Sequence, residues 1–116
     1  MMNRLLAKDA IILIAFDGED STGYMCGYDR YKDGSFYVWM CGVKTAHRKK
    51  GVLYLMMESM LKRVREAGFQ KAKIKTRNGR REMLAFLVKT GWNFLEVTTI
   101  PETKVCDNRI LLELDL

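Results

Sequence analysis

The chain has 116 residues, 48% of them apolar, and a formal net charge of +6; this suffices for one buried core and is too little for two independent domains. Its three cysteines, Cys26, Cys41 and Cys106, show no CxxC spacing, which excludes a disulfide framework and a cysteine-based zinc site, so no metal is expected. Met1 to Asp9 is too polar for a signal peptide and no apolar run is long enough to span a bilayer, so the expected setting is the cytoplasm, with no membrane partner.

Ile11-Ile12-Leu13-Ile14-Ala15-Phe16 is short, β-branched and stopped by Asp17-Gly18-Glu19-Asp20, the pattern of a strand entering a turn. A second strand is predicted from about Thr22 to Tyr28, and a turn-rich piece from Asp29 to Ser35, tightest at Asp33-Gly34, leads to a third over residues 36–43. Short connections make these an antiparallel meander. After Gly51 the period becomes helical, with Leu53, Met57, Met60 or Leu61, Val64 and Ala67 on one stripe and Gly68 as the stop. Residues 71–77 alternate strictly: Ala72, Ile74 and Thr76 face one way, Lys71, Lys73, Lys75 and Arg77 the other. A helix precedes this strand, so it pairs in parallel with the third strand through a right-handed crossover. Asn78-Gly79 opens a second helix from Arg80 to about Thr90, with Met83, Leu84, Leu87 and Val88 as its apolar stripe and Gly91 as its end. Two strands, Trp92 to Ile100 and Arg109 to Leu116, complete an α/β fold of order βββαβαββ, with Ile110, Leu112, Leu114 and Leu116 on one face of the last.

Charge is unevenly placed. Residues 44–81 hold 13 Lys and Arg against only Glu58 and Glu66, a local excess that suits a polyanion, either a phosphorylated small molecule or nucleic acid. Within it, Arg48-Lys49-Lys50-Gly51 joins a strand directly to a helix start. Unpaired amides and a partial positive charge at such a start bind phosphate, the three cations add to the attraction, and Gly51 lets the backbone approach the ligand closely.

Val43, Arg48 and Gly51 fall on the strand residue, first basic position and first glycine of a segment that resembles motif A of the GNAT acetyltransferases. Asn78, followed by the helix that ends Lys89-Thr90-Gly91-Trp92, resembles the same family's second signature. The resemblance covers roughly residues 9 to 116 and implies a single GNAT-like domain over 1–116, lacking most of the usual opening strand-helix-helix segment. It further implies a meander joined to a parallel pair of strands that splay apart after a bulge near Cys41-Gly42. Acetyl-CoA is the co-substrate it implies: main-chain groups of Cys41, Gly42 and Val43 would meet the acetyl and pantetheine parts. Amides of Arg48, Lys49, Lys50, Gly51, Val52 and Leu53 would hold the pyrophosphate, with Asn78 bordering the pantetheine. The implied activity is N-acetyl transfer to a primary amine of a small molecule, peptide or protein.

Three features depart from the family pattern. Leu53 stands where a second small residue is usual, Leu87 stands where a tyrosine commonly protonates the leaving thiolate, and the acceptor-building segment is short. The third strand carries no acidic residue, so no catalytic base is assigned. Most of Tyr24, Tyr28, Tyr31, Tyr37, Trp39 and Tyr54 are read as core, with one tyrosine a candidate replacement acid. The alternatives are a non-catalytic, protein-binding or regulatory member of the fold, paired as a homodimer, and a nucleic-acid-binding accessory protein using Lys71, Lys73, Lys75, Arg77, Arg80 and Arg81.

Overall fold

The computed structural model describes residues 10–116, so the polar opening segment lies outside the described residues. The elements are β1 (Ile11–Asp17), β2 (Asp20–Tyr28), β3 (Ser35–Val43), α1 (Val52–Glu66), β4 (Lys71–Arg77), α2 (Arg81–Lys89), β5 (Asn93–Thr98) and β6 (Arg109–Asp115). Short 3-10 turns occupy Thr45–His47 and Val105–Asp107. The eight elements stand in the expected order. They form a mixed sheet of order β1-β2-β3-β4-β6-β5, parallel at β3–β4 and antiparallel at β1–β2, β2–β3 and β5–β6. Two compact units divide the chain, one running to Ala72 and including Leu116, the other Lys73–Asp115.

In the first unit, the meander lays one face against α1. Gly23 marks that face, since a β-carbon there would lie 3.1 Å from the Met56 methyl carbon. Met56, Met57, Met60, Leu61 and Val64 bury the helix, and Met25, Phe36 and Val38 answer from the strands. At about 1.5–3 kcal/mol per buried side chain, this apolar layer outweighs any single polar contact of the unit. The buried stripe differs from the expected one at both ends. It is two residues wide and so includes Met56, whereas Ala67 is the exposed C-cap, beyond the last helical turn. Phe69, just past the helix, stacks edge-on against Phe36 at 5.3 Å between ring centres.

The pairing of β2 with β3 contains a bulge. Cys26 pairs with Met40 and Gly27 with Val38, so Trp39 is the extra residue on β3. The irregularity therefore lies two residues before the expected Cys41-Gly42 position. In such a bulge the extra residue and its neighbour point to the same face, and the Trp39 ring indeed meets Tyr28 edge-on at 6.0 Å. Tyr28 and Tyr31 also meet the buried Tyr37 edge-on, and the Arg30 guanidinium lies 5.0 Å from the Tyr37 ring centre. Burial pushes the Tyr37 hydroxyl above its ordinary pKa, more than the nearby Arg30 charge lowers it.

In the second unit, Ile74 and Thr76 of β4, Leu84 and Leu87 of α2, Trp92, and Ile110 and Leu112 of β6 are buried. Val88, expected on the stripe of α2, is exposed instead. Leu84 and Leu87 set the axis of the buried face, and Val88 lies about 70° off it at 100° per residue. β5 is shorter than expected and every residue in it is exposed. The buried Trp92 indole N–H has no acceptor among the described residues. That costs about 1–3 kcal/mol, less than the roughly 5 kcal/mol a buried indole contributes through its area.

Gly27 is the tightest point of the first unit. A β-carbon there would stand 2.3 Å from the Tyr37 carbonyl oxygen and 2.5 Å from Phe36 Cε2, and a strand backbone does not yield as a flexible side-chain end does. Gly27→Ala is expected to cost about 1–3 kcal/mol, read as a lower urea midpoint at unchanged m-value.

Candidate active site

The end of β3, the turn after it and the start of α1 bring nine of the ten expected site residues together in the first unit. Cys41, Gly42 and Val43 are the last three residues of β3 and are half-buried; Arg48, Lys49 and Lys50 form an exposed turn. Gly51 is the N-cap of α1, and Val52 and Leu53 are its first two residues, both part-buried.

One hydrogen bond sets the direction of the β3 main chain. The Lys44 N–H donates to the Thr22 carbonyl at 2.8 Å, toward β2. Successive peptide groups of a strand point to opposite sides, so Gly42 also bonds toward β2. The N–H and C=O of Cys41 and Val43 then face away from it. Arg48 uses that side: its Nε donates to the Val43 carbonyl at 3.3 Å, which folds the basic turn back onto the strand end.

Two left-handed residues, Lys49 with φ 63° and Gly51 with φ 81°, turn the chain into α1. The first intrahelical bond runs from the Leu55 N–H to the Gly51 carbonyl. The amides of Val52, Leu53 and Tyr54 therefore precede the helical ladder. No side chain caps this end, and the first turn holds no acidic residue. A Ser, Thr, Asp or Asn cap would stabilise the helix by about 1 kcal/mol. A 15-residue helix that forgoes it, with three cations directly upstream, presents an uncompensated positive pole.

Asn78 belongs to the second unit. Its N–H donates to the Asn108 carbonyl at 2.7 Å and its side-chain amide to the Val105 carbonyl at 3.4 Å, so it holds the turn before β6. The alternating basic strand is not a row of open cations either, because Lys73 pairs with Glu113 at 4.0 Å, both largely shielded. Leu87, at the position where the family commonly has a tyrosine, is fully buried and brings no acid to a site. Among the described residues, no group of three or more His, Cys, Asp or Glu is placed to hold a metal. No helix among them is long and apolar enough to cross a membrane.

Tyr24, one of the aromatic residues expected mostly in the core, is instead partly exposed beside the site, a place the sequence did not assign to it. It pairs with Gly42 across β2–β3, and a β-carbon on Gly42 would lie 2.8 Å from Tyr24 Cε1 and 3.4 Å from its hydroxyl. The ring thus lies over Gly42. The only signal in the sequence is a small residue at 42, which has no meaning until the register is known.

The cap geometry is testable without a ligand. Gly51→Ala puts a β-carbon into a left-handed residue and is expected to cost about 1–2 kcal/mol, although the space around it is open. Lys49→Gly should shift the thermal midpoint the opposite way.

The acetyltransferase (GNAT) family model matches residues 2–92. No curated protein matches the sequence, but many solved structures share the fold. An acetyltransferase of Bacillus subtilis, solved in complex with CoA, superposes with a TM-score of 0.84 at 17% identity, over 99% of this chain and 82% of that one. The IAA acetyltransferase of Bacillus cereus does so with 0.82 at 17%, over 97% and 89%. The ribosomal-protein-S18-alanine N-acetyltransferase of Escherichia coli reaches 0.84 at 10%, over 98% and 74%. With the family model covering most of its length and the fold shared throughout, the chain belongs to the acetyltransferase (GNAT) family.

Proposed function

We propose that the protein transfers an acetyl group from acetyl-CoA to a primary amine. The observation that carries this reading is the uncapped start of α1 behind Arg48, Lys49 and Lys50, with no carboxylate in the first turn to neutralise it. Family membership selects the anion: a CoA diphosphate rather than an arbitrary phosphate. The amides of Val52, Leu53 and Tyr54 and the three cations hold it, and the Arg48 contact to Val43 keeps the turn against the strand end.

Transfer requires the neutral amine nitrogen to attack the thioester carbonyl carbon. Negative charge gathers on the oxygen, the C–S bond then breaks, and CoA leaves as a thiolate that takes up the proton the new amide nitrogen loses. The Val43 N–H, directed away from β2, is the main-chain donor suited to that oxygen. A prepositioned donor of this kind is worth about 2.7–4 kcal/mol in the transition state. Relatives solved with CoA and a relative named for acetylating an alanine support the same donor and an amine acceptor.

A ligand that binds only the native state raises its stability by about 2.7 kcal/mol at a hundred times its Kd. Acetyl-CoA is therefore expected to raise the melting temperature by several degrees, and Arg48→Glu to abolish the rise. No shift of the parent chain at millimolar acetyl-CoA would refute the reading.

A further inference from the structure

Gly42 sits in a row of paired residues that crosses the meander: Ile14 on β1, Tyr24 on β2 and Gly42 on β3. Residues directly opposite in antiparallel pairs share a face, so the Ile14 side chain, the Tyr24 ring and the bare surface of Gly42 lie side by side. α1 covers the other face, as the Met56 methyl against Gly23 shows. An amine reaching an acyl group at the Cys41–Val43 stretch thus arrives over the Tyr24 face, since α1 blocks the opposite one. That approach is lined with exposed apolar surface: Tyr24 is 41% exposed, Ile14 55%, and Ile12 and Phe16, alternating with Ile14 along β1, 53% and 62%. None of these four residues carries a charge that would attract a polycation or repel an apolar body.

We infer that the acceptor is a primary amine on an apolar or aromatic body, which lies on the Tyr24–Ile14 platform while its nitrogen faces the acyl group beside Gly42. This rests on the proposed acetyl transfer and specifies its substrate class. Gly42 is part of the device: without a side chain it lets the Tyr24 ring come close over the strand end, where a β-carbon would stand 2.8 Å from Cε1 and displace it. Tyr24 is here a specificity residue that offers its ring face; the chemistry of transfer does not require its hydroxyl.

The test compares acetylation of phenethylamine, ethanolamine and putrescine by the full chain with acetyl-CoA, followed by thiol release. In parallel, the Ile14 methyl resonances of the CoA-loaded chain are followed while phenethylamine is added. Phenethylamine is expected to be preferred over ethanolamine at least tenfold in kcat/KM, about 1.4 kcal/mol, and to shift the Ile14 methyls. Tyr24→Ala and Ile14→Lys should each erase that preference while the acetyl-CoA melting shift persists, and Tyr24→Phe should keep it. Equal use of the amines, preference for putrescine, a preference that survives both variants, or no reaction together with unmoved Ile14 methyls would each overturn the inference. In those cases a retained acetyl-CoA shift leaves the donor reading standing, whereas loss of that shift in the parent chain removes both.

Discussion

Between Thr22 and Lys44 a backbone hydrogen bond of 2.8 Å continues the β2–β3 ladder past the end of β3, and its phase governs what the strand end offers. With that phase, Cys41 and Val43 turn their peptide groups away from β2 and Gly42 turns toward it. The Trp39 bulge makes this possible. Uninterrupted alternation from Val38 would put Cys41, not Gly42, on the face of Tyr24. One extra residue therefore decides whether a cysteine side chain or an open patch lies beneath the tyrosine ring. It also decides which main-chain donors remain on the side that Arg48 folds over.

The start of α1 shows a related economy. Burial of five side chains between Met56 and Val64 holds the helix, so its stability does not depend on a cap worth about 1 kcal/mol. The left-handed Gly51 and Lys49 bend the chain sharply enough to bring the basic turn back to β3. Packing energy deeper in the helix thus permits an unsatisfied, positively charged end at the surface. Such an end would be a defect in an isolated helix, and it is the feature on which the proposed diphosphate site rests.

The second unit has a more structural character. Asn78 closes the turn before β6, Leu87 fills core, and Lys73 is drawn to Glu113. Asn78 had drawn a functional reading from the family resemblance and Lys73 from the charge pattern, whereas Leu87 was expected on the apolar stripe of the helix. A side chain's chemistry becomes available only when its partners leave it available, and partners more than twenty residues away in sequence are invisible to local pattern.

Much of this protein is written in its local sequence. The β-branched run at Ile11, the switch to helical spacing after Gly51, the alternation through Lys71 to Arg77 and the glycine stops at 68 and 91 determine the order of elements, because strand and helix periodicities bury different residues. The basic turn with its glycine likewise stands out as the segment proposed to hold the diphosphate, since charge and helix-end amides act over a few residues. Tertiary structure alone decided the width of the α1 stripe at Met56, the exposure of Val88, the bulge at Trp39 and the meeting of Tyr24 with Gly42. Those depend on register and on which faces become covered, and both are set by contacts between residues far apart in the chain.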